Sequence, residues 1–301
     1  MSTTAAIETR ELTRTFGAVV ALDRMSLRVE QGEIFGFLGP NGAGKSTTIR
    51  ILLDLIRPTS GSASVLGFDC QRESMEVRSR IGYLPGELRL YGGLTGQQTV
   101  ELFASLRNGE VDDAYVRELA SEMELDLGKK ASAYSKGNRQ KLGVLLALLG
   151  RPQVLLLDEP TSGLDPLVQR TVWEVLRREA ARGATVFFSS HVMSEVEQTC
   201  ERVGILREGR LVAVEPVVAM KTRALRHVEV SFAGEAPPAD ALVVAGAKEI
   251  RRERATLEFE MTGEIDPLLK ALAAYHVVDL RTEQPTLDEI LLAYYRHEVT
   301  T

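Results

Sequence analysis

Two cysteines in 301 residues are too few and too far apart for a disulfide framework. Cys70 and Cys200 also lack metal-ligand spacing, so both are expected as small, inert side chains in a reducing compartment. No apolar run approaches the ~20 residues of a membrane-spanning helix. The first residues, Met1-Ser2-Thr3-Thr4, supply neither a basic nor an apolar leader region, which argues against secretion. There is no excess of basic charge: 36 Lys+Arg stand against 42 Asp+Glu, for a net charge of -6, and a general nucleic-acid binder is not expected. Internal repeats and low-complexity segments are absent as well. What remains is an ordinary globular composition, long enough for one large or two medium domains with ample core.

The most specific stretch is Gly39-Pro40-Asn41-Gly42-Ala43-Gly44-Lys45-Ser46-Thr47, which fits the phosphate-binding loop pattern G-x-x-x-x-G-K-[ST]. It follows an apolar strand-like run, Ile34 to Leu38, and precedes Ile49, Leu52, Leu53 and Ile56 on one helical face. Glycines let backbone N–H groups curl around an anion, and the positive end of the following helix adds to the field. Lys45 is then expected to reach the β- and γ-phosphates of a nucleotide, and the Ser46 hydroxyl to ligate Mg²⁺.

Around this loop the chain has the rhythm of an α/β domain. Ile7 to Leu12 and Met25 to Val29 are expected as short strands flanking the segment Phe16 to Leu22. Phe16 could stack on a nucleobase or simply fill a strand edge. Ser64 to Leu66 and Arg80 to Leu84 are further strands, the latter stopping at Pro85-Gly86. From about residue 95 to 150 the pattern turns helical, with a break at Asn108-Gly109. Tyr134-Ser135-Lys136-Gly137-Asn138 opens a long helix through Leu149; its free amides offer a second anion site, although a plain N-cap explains the same residues. Val154 to Leu157 is a buried parallel strand ending in Asp158-Glu159, at the sheet edge where such folds bind ligands. Two adjacent acids there need a partner, and Mg²⁺ supplies one, with Asp158 on the metal, mostly through water, and Glu159 orienting or deprotonating the attacking water. Pro160 to Pro166 is a turn into a helix through Arg178. Ala184 to Ser190 is the next buried strand, with His191 at its end. Glu208-Gly209 makes a hairpin.

Composition shifts near Glu215-Pro216, dividing a domain of residues 1–215 from a smaller α+β domain of residues 216–301. In the latter, Val228, Val230 and Phe232, and again Leu257, Phe259 and Met261, alternate as half-buried strands. Asp266 to Ala274 and Leu287 to Tyr295 are expected helices, the second behind a capping box of Thr286 and Glu289. No cluster in this tail suggests chemistry.

The phosphate loop, Ser135 to Asn138, the acid pair and His191, in this order, resemble the nucleotide-binding subunit of ABC (ATP-binding cassette) transporters over about Ile7 to Val214. The spelling of Tyr134 to Lys141 and the tail segment Pro285 to Ile290 look more narrowly like type-2 ABC exporters of drugs and antibiotics, whose ATPase is a separate chain. The resemblance implies a P-loop NTPase of ABC type with a helical signature subdomain, working with ATP and Mg²⁺. It implies that two cassettes face head to tail, with Ser135, Gly137 and Asn138 of one covering ATP on Gly39 to Thr47 of the other. Phe16 would stack on adenine, Asp165 would stand at the dimer interface, His191 would meet the γ-phosphate and Glu159 would be the general base. The implied partners are a second copy and a separate transmembrane permease, which puts the chain on the cytoplasmic face of the cell membrane. The region from Pro85 to about Phe103, with the apolar Leu88, Leu90, Tyr91 and Leu94, is the natural docking surface for the permease; the same residues could instead cover the domain's own core, and the sequence does not separate the two.

Two departures stand out. Where ABC proteins carry Gln after the strand matched by Ile81 to Leu84, this chain has Pro85-Gly86-Glu87; either Glu87 substitutes as a Mg²⁺ or water contact or that link works differently. The signature has Lys136 for Gly and Asn138 for Gln but keeps Ser135 and Gly137. A competing class is a non-transport ABC ATPase acting on ribosomes or DNA, which usually brings two cassettes in one chain or long coiled-coil arms; neither is present here.

Overall fold

Alternating apolar residues at the start of the chain build a long antiparallel hairpin in the computed structural model, which describes residues 5–107, 111–223, 226–261 and 263–283. Strands β1 (Ala5–Phe16) and β2 (Val19–Glu30) turn at Gly17-Ala18. The segment Phe16 to Leu22, read from sequence as an interval between two short strands, is therefore the hairpin tip and the start of β2. Gly17 sits at φ 58, a left-handed value that costs a glycine little.

Strand β3 (Ile34–Leu38) runs into the glycine-rich loop and helix α1 (Lys45–Leu52). The helix stops before Ile56, contrary to the apolar spacing, because Asp54 takes φ 54 and breaks the right-handed path. Ile56 still packs against the core from the turn that follows. β4 (Ser60–Val65) and β5 (Phe68–Asp69) complete a four-stranded antiparallel sheet in the order β2-β1-β4-β5. A short helix with no apolar stripe to announce it, α2 (Ser74–Ser79), leads to β6 (Ile81–Leu84).

Three helices then form the insertion: α3 (Gly96–Leu106), α4 (Asp113–Glu122) and α5 (Lys136–Leu148). The break at Asn108-Gly109 lies outside the described residues. Each helix starts at a capping side chain. Thr95 accepts from Gln98 N, Asp112 from Ala114 N and Tyr115 N, and Ser135 from Asn138 N, each cap contributing about 1 kcal/mol. Helix α5 lies tight against β6 at a pair of glycines. A Cβ on Gly82 would stand 1.9 Å from the Ala147 carbonyl oxygen, and one on Gly143 2.6 Å from methyl carbons of Leu84 and Leu88. Gly82→Ala is therefore expected to destabilise the protein by about 3 kcal/mol, read as a lowered thermal midpoint. A melting curve superimposable on that of the parent would show that this close packing does not hold.

The remaining elements of the first unit are β7 (Val154–Asp158), α6 (Pro166–Ala181), β8 (Thr185–Ser190), α7 (Met193–Thr199), β9 (Arg202–Arg207) and β10 (Arg210–Pro216). They join a six-stranded sheet in the order β10-β9-β3-β8-β7-β6, in which β6, β7, β8, β3 and β9 run parallel. All of β7 and β8 is buried, as expected of central parallel strands covered on both faces. Phe35 and Phe37 pack their rings on Phe187, and Trp173 of α6 packs on Phe188 with centroids 4.7 Å apart. Asp165 caps α6 by accepting from Val168 N at 3.0 Å, and Pro166 occupies the first turn, where its missing N–H costs nothing.

The chain separates into two compact units, Met1–Val214 and Glu215–Thr301. In the second, α8 (Val217–Arg223) is followed by β11 (Arg226–Phe232), β12 (Ala247–Arg252), β13 (Thr256–Met261), α9 (Asp266–Leu272) and β14 (Val277–Glu283). The strands form an antiparallel sheet in the order β12-β13-β11-β14. Val228, Val230, Phe232, Leu257, Phe259 and Met261 line its core with Leu268 and Leu272 of α9. The expected helix Leu287 to Tyr295 and its capping box lie outside the described residues. Among the described residues no helix is long and apolar enough to cross a membrane. Cys70 and Cys200 are free and buried, and burial pushes each thiol up to about 12, so neither is a nucleophile at neutral pH.

Candidate functional site

Gly39 to Thr47 links the carboxyl end of β3 to the first turn of α1, and its shape depends on glycine. Gly42 and Gly44 take φ values of 83 and 112. A Cβ on Gly44 would meet the Ala21 carbonyl oxygen at 2.5 Å and one on Gly39 the Leu206 carbonyl oxygen at 2.3 Å. Ala43 N donates to Pro40 O at 3.1 Å, which tightens the loop. Lys45 folds back over it, Nζ donating to Gly39 O at 2.5 Å and Pro40 O at 3.2 Å. Its side chain is buried, and burial draws its pKa down, opposed by the charges of Glu159 and Asp158. The start of α1 differs from those of α3, α4, α5 and α6 in having no capping side chain. Its first-turn N–H groups have no acceptor within the helix and, unlike those of the similarly uncapped α2, α7 and α9, belong to residues that line a cavity shared with two acids.

Asp158 closes β7 opposite Ser189 of β8, and the Ser189 hydroxyl donates to Asp158 Oδ1. Glu159 leaves the strand at φ 53, a conformation costing a non-glycine residue about 1–2 kcal/mol. Its surroundings hold it there. Glu159 N donates to Ser189 O at 3.1 Å and Ser189 Oγ at 3.2 Å, while Gln140 Nε2 on α5 donates to the Glu159 and Pro160 carbonyls, each at 3.0 Å. The carboxylate oxygen Oε1 stands 2.8 Å from His191 Nδ1. The two acids therefore find partners inside the protein, Ser189 and His191, which the reading of the isolated strand did not provide.

Loop and acids face one cavity of about 410 Å³. Asn41, Gly42, Gly44, Lys45, Ser46 and Thr47 line it from one side, Asp158 and Glu159 from the other, and Pro85, Gly86 and Glu87 from the end of β6. A Cβ on Gly86 would lie 3.1 Å from Asp158 Oδ2, so the departure from Gln places bare backbone beside the acid. Glu87 is exposed and 3.7 Å from Arg89. The lining also includes Ala21, Arg50 and Tyr83, which sequence reasoning did not single out. Burial, and then the charge of Asp158, raise the Tyr83 pKa, keeping a neutral hydroxyl at the wall. Ser189 and Ser190 carried a legible signal, since hydroxyls in a buried strand require partners.

Other expected site residues lie apart from this cavity. Ser135 spends its hydroxyl on the α5 cap. Gly137 backs onto the turn after Glu159, where a Cβ would come 3.2 Å from Gly163 O. Ser135, Gly137, Asn138, Asp165 and Phe16 are all absent from the lining, as are Gly39, Pro40 and Ala43 of the loop itself and His191, which reaches the site only through Glu159. Phe16 is at the tip of the first hairpin.

A parallel sheet, a glycine loop feeding an uncapped helix, and an acid pair at the neighbouring strand end define a phosphate-loop nucleotide-binding domain. Residues 22–162 match the family model for ABC transporters. Over 213 residues the chain is 39% identical to the "Probable multidrug ABC transporter ATP-binding protein YbhF" of Escherichia coli (strain K12), a match covering 69% of this chain and 36% of that protein. It is 35% identical over 291 residues to the daunorubicin resistance ATP-binding protein DrrA3 of Streptomyces coeruleorubidus, covering 93% of this chain and 92% of that one. A solved structure of an ATP-binding subunit of an ABC transporter is similar with a TM-score of 0.66 at 30% identity, over 72% of this chain and 92% of the other. The chain belongs to the family of ABC transporter ATP-binding proteins.

Proposed function

We propose that this chain binds and hydrolyses ATP as one subunit of an exporter of drugs or antibiotics, working on the cytoplasmic face of the membrane with a separate transmembrane partner. The observation that carries the catalytic half is the single cavity shared by Lys45, Ser46, Asp158 and Glu159, with His191 on the Glu159 carboxylate. The drug-related names of the E. coli and Streptomyces relatives support the exporter half.

In this reading the triphosphate of ATP lies along Gly39 to Thr47, and Lys45 exchanges its carbonyl partners for the β- and γ-phosphates. Glu159 accepts the proton of the attacking water, and His191 holds that carboxylate and meets the γ-phosphate. The donor set beside the phosphates is oxygen-only, as a hard cation requires: the Ser46 hydroxyl and Asp158 would hold Mg²⁺, with Glu87 an additional or water-mediated contact. Among the described residues no three acidic, His or Cys side chains form a ready-made cage, which fits an ion taking its other ligands from phosphate and water. Bound there, the ion would neutralise developing charge on the phosphates.

A second copy completes the site. Ser135, Gly137 and Asn138 do not line the cavity of their own chain, yet they stand at the start of a helix, where a facing cassette would present its γ-phosphate; Asp165 lies at that same interface. The transmembrane partner docks on the apolar residues after β6, among them the half-buried Leu88 and Leu90 and the exposed Tyr91. The expected result is that tagged chain isolated from its native cells sediments with membranes and co-purifies with a protein bearing apolar spans of ~20 residues. Recovery free of any such protein, with ATP turnover indifferent to membrane extract, would overturn the transport assignment.

A further inference from the structure

We infer that Arg14 is a positioning residue for the base of the bound nucleotide, holding the Phe16 ring as a platform on which a purine stacks. The inference rests on the proposed stacking role of Phe16. The Arg14 guanidinium carbon lies 4.4 Å from the centroid of the Phe16 ring, so a cation covers one face while the residue as a whole remains 45% exposed. The covering group is itself tied down. Arg14 Nη1 donates to Arg57 O at 2.7 Å. The strand on either side is strapped to the same turn, with Thr15 N donating to Thr59 Oγ1 at 3.0 Å and Thr59 N to Thr13 O at 2.7 Å. Arg14 Nε is buried without a hydrogen-bond partner, an arrangement that costs free energy and that a side chain free to swing into water would relieve. The ring contact and the Arg57 bond keep it in place.

The strap ties the strand that carries Phe16 to the turn behind the helix of the phosphate loop. The turn Arg57 to Thr59 follows α1, whose opposite end faces the cavity through Lys45 and Ser46. Phe16 pairs with Val19 across the hairpin, and Ala21, two residues further along β2, both touches the loop at Gly44 and lines the cavity. At about 3.3 Å per residue, Val19 lies about 7 Å from that contact, a span that the sugar and first phosphate of a nucleotide can bridge. A cation on one face of the ring also draws on its π-system and favours stacking of an electron-rich base on the other.

The test separates base from phosphate. Dissociation constants for ATP and for inorganic tripolyphosphate, which lacks a base, are measured on the full chain by calorimetry. Arg14→Ala is expected to weaken ATP by about three- to tenfold and tripolyphosphate by less than about twofold. Arg14→Lys, which keeps the charge but not the planar fork, recovers part of the loss. Phe16→Ala lowers the ATP preference similarly, and adding Arg14→Ala to it costs nothing more. Equal weakening of both ligands by Arg14→Ala would reduce the residue to a general charge or folding role and overturn the inference. So would a Phe16→Ala loss that Arg14→Ala does not reproduce. An unchanged ratio in Phe16→Ala would remove the stacking reading itself, and the inference with it.

Discussion

Replacing Glu159 with glutamine lowers ATP turnover at least tenfold, toward the roughly 10²- to 10⁴-fold typical of a positioned acid–base group, while leaving nucleotide affinity within about twofold. Glutamine is nearly the same shape and can still hydrogen-bond to His191 Nδ1, which lies 2.8 Å from Glu159 Oε1. The backbone that holds the residue at φ 53 is fixed by Ser189 and Gln140 through main-chain atoms, so the substitution leaves that conformation alone. What disappears is the capacity to take a proton. Single-turnover and steady-state rates on the purified, assembled protein provide the measurement, and an unaltered rate would strip Glu159 of the role of general base.

The second large effect is the loss of nucleotide binding in Lys45→Ala. Hydrogen bonds from a cation to charged groups contribute about 1.5–3 kcal/mol each, so losing even one to phosphate weakens ATP more than about tenfold. Burial alone draws the lysine toward neutrality, and Glu159 and Asp158 pull the other way; a triphosphate adds far more negative charge beside it and favours the ammonium. The variant also orphans two carbonyl oxygens, those of Gly39 and Pro40. Calorimetric affinity should therefore be read together with a melting curve. Unchanged affinity in a folded variant would rule out the assigned phosphate contact.

The phosphate loop and the acid pair are legible because each depends on local chemistry: glycines where a Cβ would strike Ala21 or Leu206, acids at the end of an aliphatic run; the pairing of His191 with Glu159 across 32 residues is not. The strand, loop and helix order around Lys45 follows from periodicity alone. Less legible are features that an apolar pattern does not encode, whether decided by one backbone turn or by distant residues. Helix α1 ends at Leu52 because Asp54 turns left-handed, which an apolar stripe extending to Ile56 does not reveal. The segment Phe16 to Leu22 joins β2 through pairing with β1, not through its own alternation. Strands β12 and β14 sit at the two edges of their sheet and are mostly exposed, so they carry little of the apolar pattern that marks β11 and β13. Tyr83, Arg50 and Gln140 reach the site from elements whose neighbourhood only the tertiary fold determines.

Gln140 also bears on timing. It lies on the helix that begins at Ser135, about 7.5 Å further along the axis at 1.5 Å per residue, and it grips the carbonyls of Glu159 and Pro160. In the proposed pair of cassettes this one helix would have its tip offered to a neighbour's nucleotide, with its flank clamped to the backbone of the proposed general base. A displacement of the tip would then reach Glu159 through the helix and the Gln140 hydrogen bonds. Two such helices, one in each copy, would make the paired catalytic centres keep a common clock.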